Sequence, residues 1–214
     1  MTNLPYVMVM KERWLALTTS LGIEETTAVA LYADLAAHYE AEGRHYHNLA
    51  HVQYMLEMIC SLPAGEYDKT AVQLAVWFHD VIYNPQRLDN EKQSAAYARQ
   101  CLAPWLPPAL VDEVVRLILL TAGHETTATD ANGSVLLDAD LATLGADPAV
   151  YDQYSAAIRR EYAWVPEEIY RRERAKLLAR FLQKERIFNC DTFRERFEER
   201  ARQNLRRELA NLGR

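Results

Sequence analysis

The stretch AVQLAVWFHDVIY, Ala71–Tyr83, decides how the rest of the chain is read. Apolar residues run through it almost unbroken to Phe78, then His79 and Asp80 stand side by side before Val81 and Ile82 resume the run. An apolar stretch of this length with no strand-like alternation predicts a deeply buried helix over 68–82, with the His-Asp pair at its centre. An ionised carboxylate cannot sit there alone, because desolvating it costs several kcal/mol even after relaxation. A cation or strong hydrogen bonds must meet Asp80.

Working outward in both directions, the same 3.6-residue periodicity recurs and no segment alternates for long. It predicts helices at 10–21, 24–41, 48–61, 91–103, 108–122, 134–144, 148–162, 167–187 and 191–212 as well. Asn90 with Gln93 suits a helix start, and Pro108, Pro148 and Pro166 suit first turns. Six of the seven glycines, Gly22, Gly43, Gly65, Gly123, Gly145 and Gly213, follow apolar-periodic stretches, where helices end. Phe193, Phe197, Ala201, Leu205, Leu209 and Leu212 form a stripe that should pack the last helix back on the rest. The expected fold is all-α: a single-domain helical bundle of about ten helices with a packed C-terminal helix.

A chain of 214 residues, half hydrophobic and a quarter charged, is long enough to bury a core without a disulfide or metal as a staple. Any metal would therefore serve chemistry. The longest apolar runs fall far short of the ~20 residues that cross a bilayer. The N-terminus lacks a signal-peptide pattern, so a cytoplasmic protein with no membrane partner is expected. Cys60, Cys101 and Cys190 are odd in number and widely spaced, which predicts reduced, buried thiols. There is no phosphate-binding glycine loop. Residues 171–214 hold 14 Lys/Arg against 7 Asp/Glu within a chain of net charge −6, so the two parts should attract each other. The bases alternate with acids and an apolar stripe, which reads as a solvated helix face and not a nucleic-acid surface.

Three of the six histidines crowd into RHYHNLAH, Arg44–His51. If the segment is helical, His47 and His51 share one face, one turn or about 6 Å of rise apart. A second acidic feature is LLDADLATLG, where Asp138 and Asp140 interrupt another apolar run, though Asp138 could simply cap a helix. Neutral imidazoles and carboxylates are ligands for Zn, Fe, Mn or Co. His51, His79, Asp80 and one of the two aspartates would compose a four-ligand site with positions left for water.

His51, the HD pair at 79–80 and Asp140 in DADLATLG resemble the ordered H...HD...D pattern of the HD superfamily of metal-dependent phosphohydrolases. The match covers roughly residues 44–145, and the whole chain is similar to a subgroup known only as predicted HD phosphohydrolases. The resemblance implies an HD-type helical fold, a divalent metal ion (Mn, Fe, Co, Mg or Zn) held by His51, His79, Asp80 and Asp140, and Asp138 as the runner-up. YHNLAH is also similar to the Y-H-N-x-x-H of cyclic nucleotide phosphodiesterases, where the first histidine gives a proton to the leaving oxygen; His47 matches it. Those enzymes carry a histidine four residues after HD, where this chain has Asn84, so their two-metal arrangement does not carry over.

The expected activity is hydrolysis of a small phosphate ester, a nucleotide being the preferred case, by a metal-activated water with His47 as general acid. Glu91 could act on the attacking water, set against an acid favoured by the helix dipole. Arg44 could grip phosphate, set against an ion pair with Glu40 or Glu42. Asn48 and His124 are further candidates for substrate contact. Tyr46, Tyr54, Trp77, Phe78 and Tyr83 could stack a base, although core packing is the first reading of all five. The alternatives are a di-iron oxygenase, disfavoured because His124 is the only histidine between Asp80 and Asp140, and a non-catalytic metal- or nucleotide-binding module.

Overall fold

The computed structural model describes residues 4–63, 65 and 67–213, with residues 4–7 as backbone only. Among these residues ten α-helices and one 3-10 turn make up the regular structure, with no strand, as the periodicity predicts. In order they are α1 (Leu4–Ser20), α2 (Glu25–Tyr39), α3 (Leu49–Cys60), α4 (Lys69–Phe78), α5 (Asn90–Leu102), α6 (Pro108–Leu120), α7 (Ala131–Leu141), the 3-10 turn Ala142–Gly145, α8 (Pro148–Glu161), α9 (Glu167–Gln183) and α10 (Asp191–Leu212). No helix is long and apolar enough to cross a membrane among the described residues.

The core is built around α4. Its residues Ala71, Val72, Leu74–Phe78 are all buried, and α3, α5, α6 and α7 pack around it. A helix covered on nearly every side has little polar face to offer, which is why its sequence beyond Thr70 is apolar apart from Gln73. The pair α1 and α2 closes one end: Trp14 sets its ring edge-on to Trp77 at 5.3 Å and donates its indole N–H to the Ala28 carbonyl at 2.8 Å.

Two helix ends matter for the site. α4 stops at Phe78, so His79 and Asp80 stand at its exit and not at its centre. The ladder closes with the His79 N–H on the Ala75 carbonyl and a tighter Val81 N–H on the Phe78 carbonyl, and Pro85, further on, keeps the helix from resuming. Arg44 takes over the freed carbonyls of Asp80 and Val81 at 2.6 and 2.7 Å. α3 begins at Leu49 with Asn48 as its N-cap, the side-chain oxygen accepting the Ala50 N–H at 2.9 Å. His47 therefore lies before the helix, not one turn below His51 on it. At α5 the cap position belongs to Asp89, while Asn90 accepts the Asn84 N–H and donates to the Asn84 carbonyl, both at 2.9 Å.

Asp138 and Asp140 are two residues apart on α7, about 200° around the helix. They face opposite ways. Asp138 is fully buried and accepts the N–H groups of Asn189 and Cys190 at 2.8 and 2.6 Å and the Asn189 amide at 2.9 Å, fastening the entry to α10. Its partners lie more than fifty residues along the chain and just ahead of α10, so it fastens that helix's approach and does not cap the first-turn N–H groups of a helix. Phe193, Phe197, Ala201 and Leu205 of the α10 stripe are buried, with Leu209 and Leu212 partly so, and the helix lies on the 3-10 turn. Close approach there requires glycine: a Cβ on Gly145 would fall 2.6 Å from the Phe197 Cβ and 2.7 Å from its carbonyl oxygen. The charge asymmetry of the chain is resolved locally, as Arg200 pairs with Asp147 and Arg207 with Asp152, each at 2.6 Å. The thiols are free, but none is fully buried; Cys60 is exposed.

Replacing Gly145 by Ala forces Phe197 and its backbone aside, and the cost expected of such overpacking is about 1–3 kcal/mol. Urea titrations of wild type and variant measure it directly. Asp138→Ala, which leaves three donors at the α10 entry without their acceptor, should cost at least as much, about 2–4 kcal/mol.

Candidate metal centre

Four separated segments converge behind α4. His51 comes from the first turn of α3, His79 and Asp80 from the α4 exit, Asp140 from the last turn of α7, and His124 from the turn after α6. One ligand atom each of His51, His79 and Asp140 lies within 4.8 Å of the other two, forming a buried group that could hold a metal ion. His51 Nε2 is 3.0 Å from Asp140 Oδ1 and 3.3 Å from His79 Nε2. Asp80 is outside that three-residue group, yet its Oδ2 is 3.1 Å from His79 Nε2.

The hydrogen-bond inventory of His79 is decisive. Its Nδ1 is 2.9 Å from the Val76 carbonyl, which can only accept, so Nδ1 carries a proton. In the neutral ring Nε2 is then a bare lone pair, and it faces Asp80 Oδ2, Asp140 Oδ1 at 4.0 Å and the second imidazole. Acceptors outnumber donors at that point. Either an extra proton or a metal cation relieves the excess. Without metal, burial works against a charged ring, but the Asp80 carboxylate overrides it and holds His79 protonated up to about 9. His51 goes the other way, its basicity lowered by burial, and its Nδ1 is buried with no hydrogen-bond partner. A neutral imidazole is the form a metal takes.

His124 reaches Asp140 at a conformational cost. Its φ of +49° is the left-handed region, worth roughly 1–2 kcal/mol of strain for a residue with a Cβ. The backbone there is held by the His124 N–H on the Leu120 carbonyl at 3.0 Å and by Lys184 on the His124 carbonyl at 3.2 Å. The result is a 2.9 Å contact from His124 Nε2 to Asp140 Oδ2, so Asp140 spans two histidines, one on each oxygen.

His47 stands beside this group. Its Nε2 is 4.0 Å from Asp80 Oδ2, and its Nδ1 is 2.6 Å from Glu161 Oε2. Glu161 has no exposed side-chain surface and collects five donors: the N–H groups of His45, Tyr46 and His47 on Oε1 at 2.8, 2.6 and 3.0 Å, and His47 Nδ1 and the Tyr83 hydroxyl (3.0 Å) on Oε2. Burial pushes this carboxyl up, but the His47 and backbone donors prevail and bring it down to about 2. For His47, burial likewise opposes charge, and Asp80 with Glu161 raises its pKa above the ordinary imidazole value.

Several expected residues have other partners. Arg44 gives its guanidinium to the carbonyls of His47, Asp80 and Val81 and lies 5.2 and 5.5 Å over the rings of Tyr39 and Tyr83, which ties the histidine-rich segment to the α4 exit. It neither pairs with Glu40 or Glu42 nor keeps its fork free for phosphate. Asn48 uses its oxygen as the α3 cap and its amide on the His45 carbonyl at 3.2 Å. Glu91 sits in the first turn of α5, with no hydrogen bond or ion pair to the histidine group among the described residues. Trp77 and Phe78 are core, whereas Tyr46 sets its ring 4.7 Å from that of His51. Glu161 was not legible in the sequence: in RREYAW it is one more acid at a helix end, and its contact bridges 114 residues.

Comparison of the chain with protein-family models, with curated proteins and with solved structures finds no match in any of the three.

Proposed function

We propose that the chain is a metal-dependent hydrolase of a small phosphate ester or nucleotide. The observation that carries this reading is the acceptor excess at His79 Nε2, where two imidazoles and two carboxylates face one another inside the protein with a proton-carrying histidine alongside. The order of those residues along the chain, similar to that of the HD phosphohydrolases, supports the same assignment.

The donor set fits a divalent ion. His51 Nε2, His79 Nε2 and Asp140 Oδ1 would hold it, with Asp80 beside them, and two imidazoles favour a transition metal such as Mn, Fe, Co or Zn over Mg. A bound ion would supply Lewis-acid chemistry, polarising a phosphoryl oxygen and making a nearby water more acidic. The remaining work falls to the chain itself. Asp140 accepts from His124 through Oδ2, which fixes the carboxylate while leaving Oδ1 and His51 Nε2 for the ion. Val76 locks the His79 ring so that Nε2 points inward. His47, partly exposed and biased toward its protonated form, can deliver a proton to a departing ester oxygen from Nε2.

The reading is tested by loading metal-free protein with Mn, Co, Zn, Fe or Mg and measuring phosphate release from a panel of phosphomonoesters and nucleotides. Metal bound without release from any of them would overturn the hydrolase assignment, and no metal bound would overturn the centre.

Asp140→Asn should weaken metal binding by more than about 100-fold, beyond the 10–100-fold effect of a residue that only supports a ligand. Asp138→Asn should leave the affinity unchanged, because that carboxylate serves the α10 entry; calorimetric titration of both variants distinguishes them. The metal must displace the proton that Asp80 keeps on His79 up to about 9, so affinity should rise roughly tenfold per pH unit between 7 and 8 and level off above 9. His47→Ala should retain the metal and slow turnover about 10²–10⁴-fold.

A further inference from the structure

The contact between Glu161 and His47 has a stricter geometry than a structural clasp needs. Oε1 of Glu161 is held by three consecutive backbone N–H groups, those of His45, Tyr46 and His47, so the carboxylate cannot turn. Oε2 is thereby aimed at His47 Nδ1 at 2.6 Å, with the Tyr83 hydroxyl filling its second lone pair at 3.0 Å. Tyr83 also stacks its ring on the imidazole, 4.2 Å between centroids and 28° between planes, which stops the ring from swinging out. A carboxylate with no exposed surface and five donors around it is an acceptor only.

We infer that Glu161 is a positioning residue that confines one His47 proton to Nδ1 and so leaves Nε2, facing Asp80 and the candidate metal ligands, as the nitrogen that exchanges protons with a substrate. The inference rests on the reading of His47 as the proton donor of that site. Which imidazole nitrogen keeps its proton is set by the partner of the other, and here the partner admits one answer in both the charged and the neutral ring. The proton that moves is the one on Nε2. When His47 gives it up, the ring is left as the neutral Nδ1–H tautomer, with the remaining proton on Nδ1 and still donated to Glu161 Oε2; when it takes one back, the imidazolium is restored.

A glutamine at position 161 makes the consequence sharp. Its single oxygen is required by the three backbone N–H groups, which turns its NH₂ toward His47. A donor facing Nδ1 makes that nitrogen the acceptor, and the neutral ring must move its proton to Nε2. The tautomer inverts while the fold keeps its main tie.

The test is ring ¹H–¹⁵N correlation spectroscopy of the full chain labelled with ¹⁵N-histidine, without metal, on the alkaline side where the ring is neutral, with His47 assigned through His47→Gln. Wild type should show His47 protonated at Nδ1 and bare at Nε2, and Glu161→Gln the reverse, with helical circular dichroism unchanged. A wild-type ring protonated at Nε2, or an Nδ1 proton that persists in Glu161→Gln, would overturn the assignment. Should Glu161→Gln not fold, the wild-type tautomer decides by itself. If the phosphate panel yields a substrate, Glu161→Gln should lower kcat within the range of His47→Ala, about 10²–10⁴-fold, and leave KM nearly unchanged. If no substrate is found, the hydrolase reading falls and the tautomer still answers this question.

Discussion

Buried carboxylates that have no room to be hydrated govern this protein. Asp80, Asp138, Asp140 and Glu161 all lie mostly or wholly inside a helical bundle, and each must be compensated where it sits, because an unpaired charge there would cost several kcal/mol out of a stability of only 5–15. Two of them, Asp138 and Glu161, take backbone N–H groups and side-chain donors from the fold, enough to hold Glu161 ionised, whereas burial still raises Asp138 to about 6. The other two share imidazoles. Around His79 Nε2 that sharing leaves more acceptors than donors, an excess that a proton on His79 or a metal cation can meet, which is the physical basis of the candidate centre.

The bundle produces that imbalance through where its helices end. α4 is deeply packed and ends at Phe78, so the His79–Asp80 pair emerges at a helix exit where a side chain can turn toward neighbouring elements. Arg44 then seals the exit by binding the carbonyls that lost their helical partners. The same arginine holds the His47 carbonyl at 3.0 Å, so one guanidinium ties the histidine-rich segment to the His79–Asp80 exit. His124 shows the same economy on the far side, with a left-handed backbone tolerated because the Lys184 and Leu120 contacts fix it and the imidazole gains Asp140.

Roles among the acids follow angular position more than chemistry. Asp138 and Asp140 are the same residue type in one short run, yet the roughly 200° between them sends one to the α10 entry and the other to the histidines. Glu161 closes α8 and reaches back across most of the chain, so the histidine-rich segment near residue 46 is shaped by a helix far downstream. This makes the C-terminal helices part of the site's architecture: α8 supplies the acid, and α10 holds the 3-10 turn between α7 and α8 through Asn204 on the Leu144 and Ala146 carbonyls, each at 2.9 Å.

By itself the sequence determined the class of fold, because helix periodicity is a local property: each apolar stripe from Trp14 to Leu205 reports only that one face is buried. It also marked which residues would need compensation once their runs packed inside, a His-Asp pair after VWF and two aspartates inside LLDADL. Tertiary structure decided everything that depends on direction and distance. It placed His79 at a helix exit, separated Asp140 from Asp138, spent Arg44 and Asn48 on backbone groups, and brought Glu161 to His47. Those outcomes were not legible because side-chain partners more than a turn away are set by how helices cross and where they stop, and no local pattern encodes a contact that spans 114 residues.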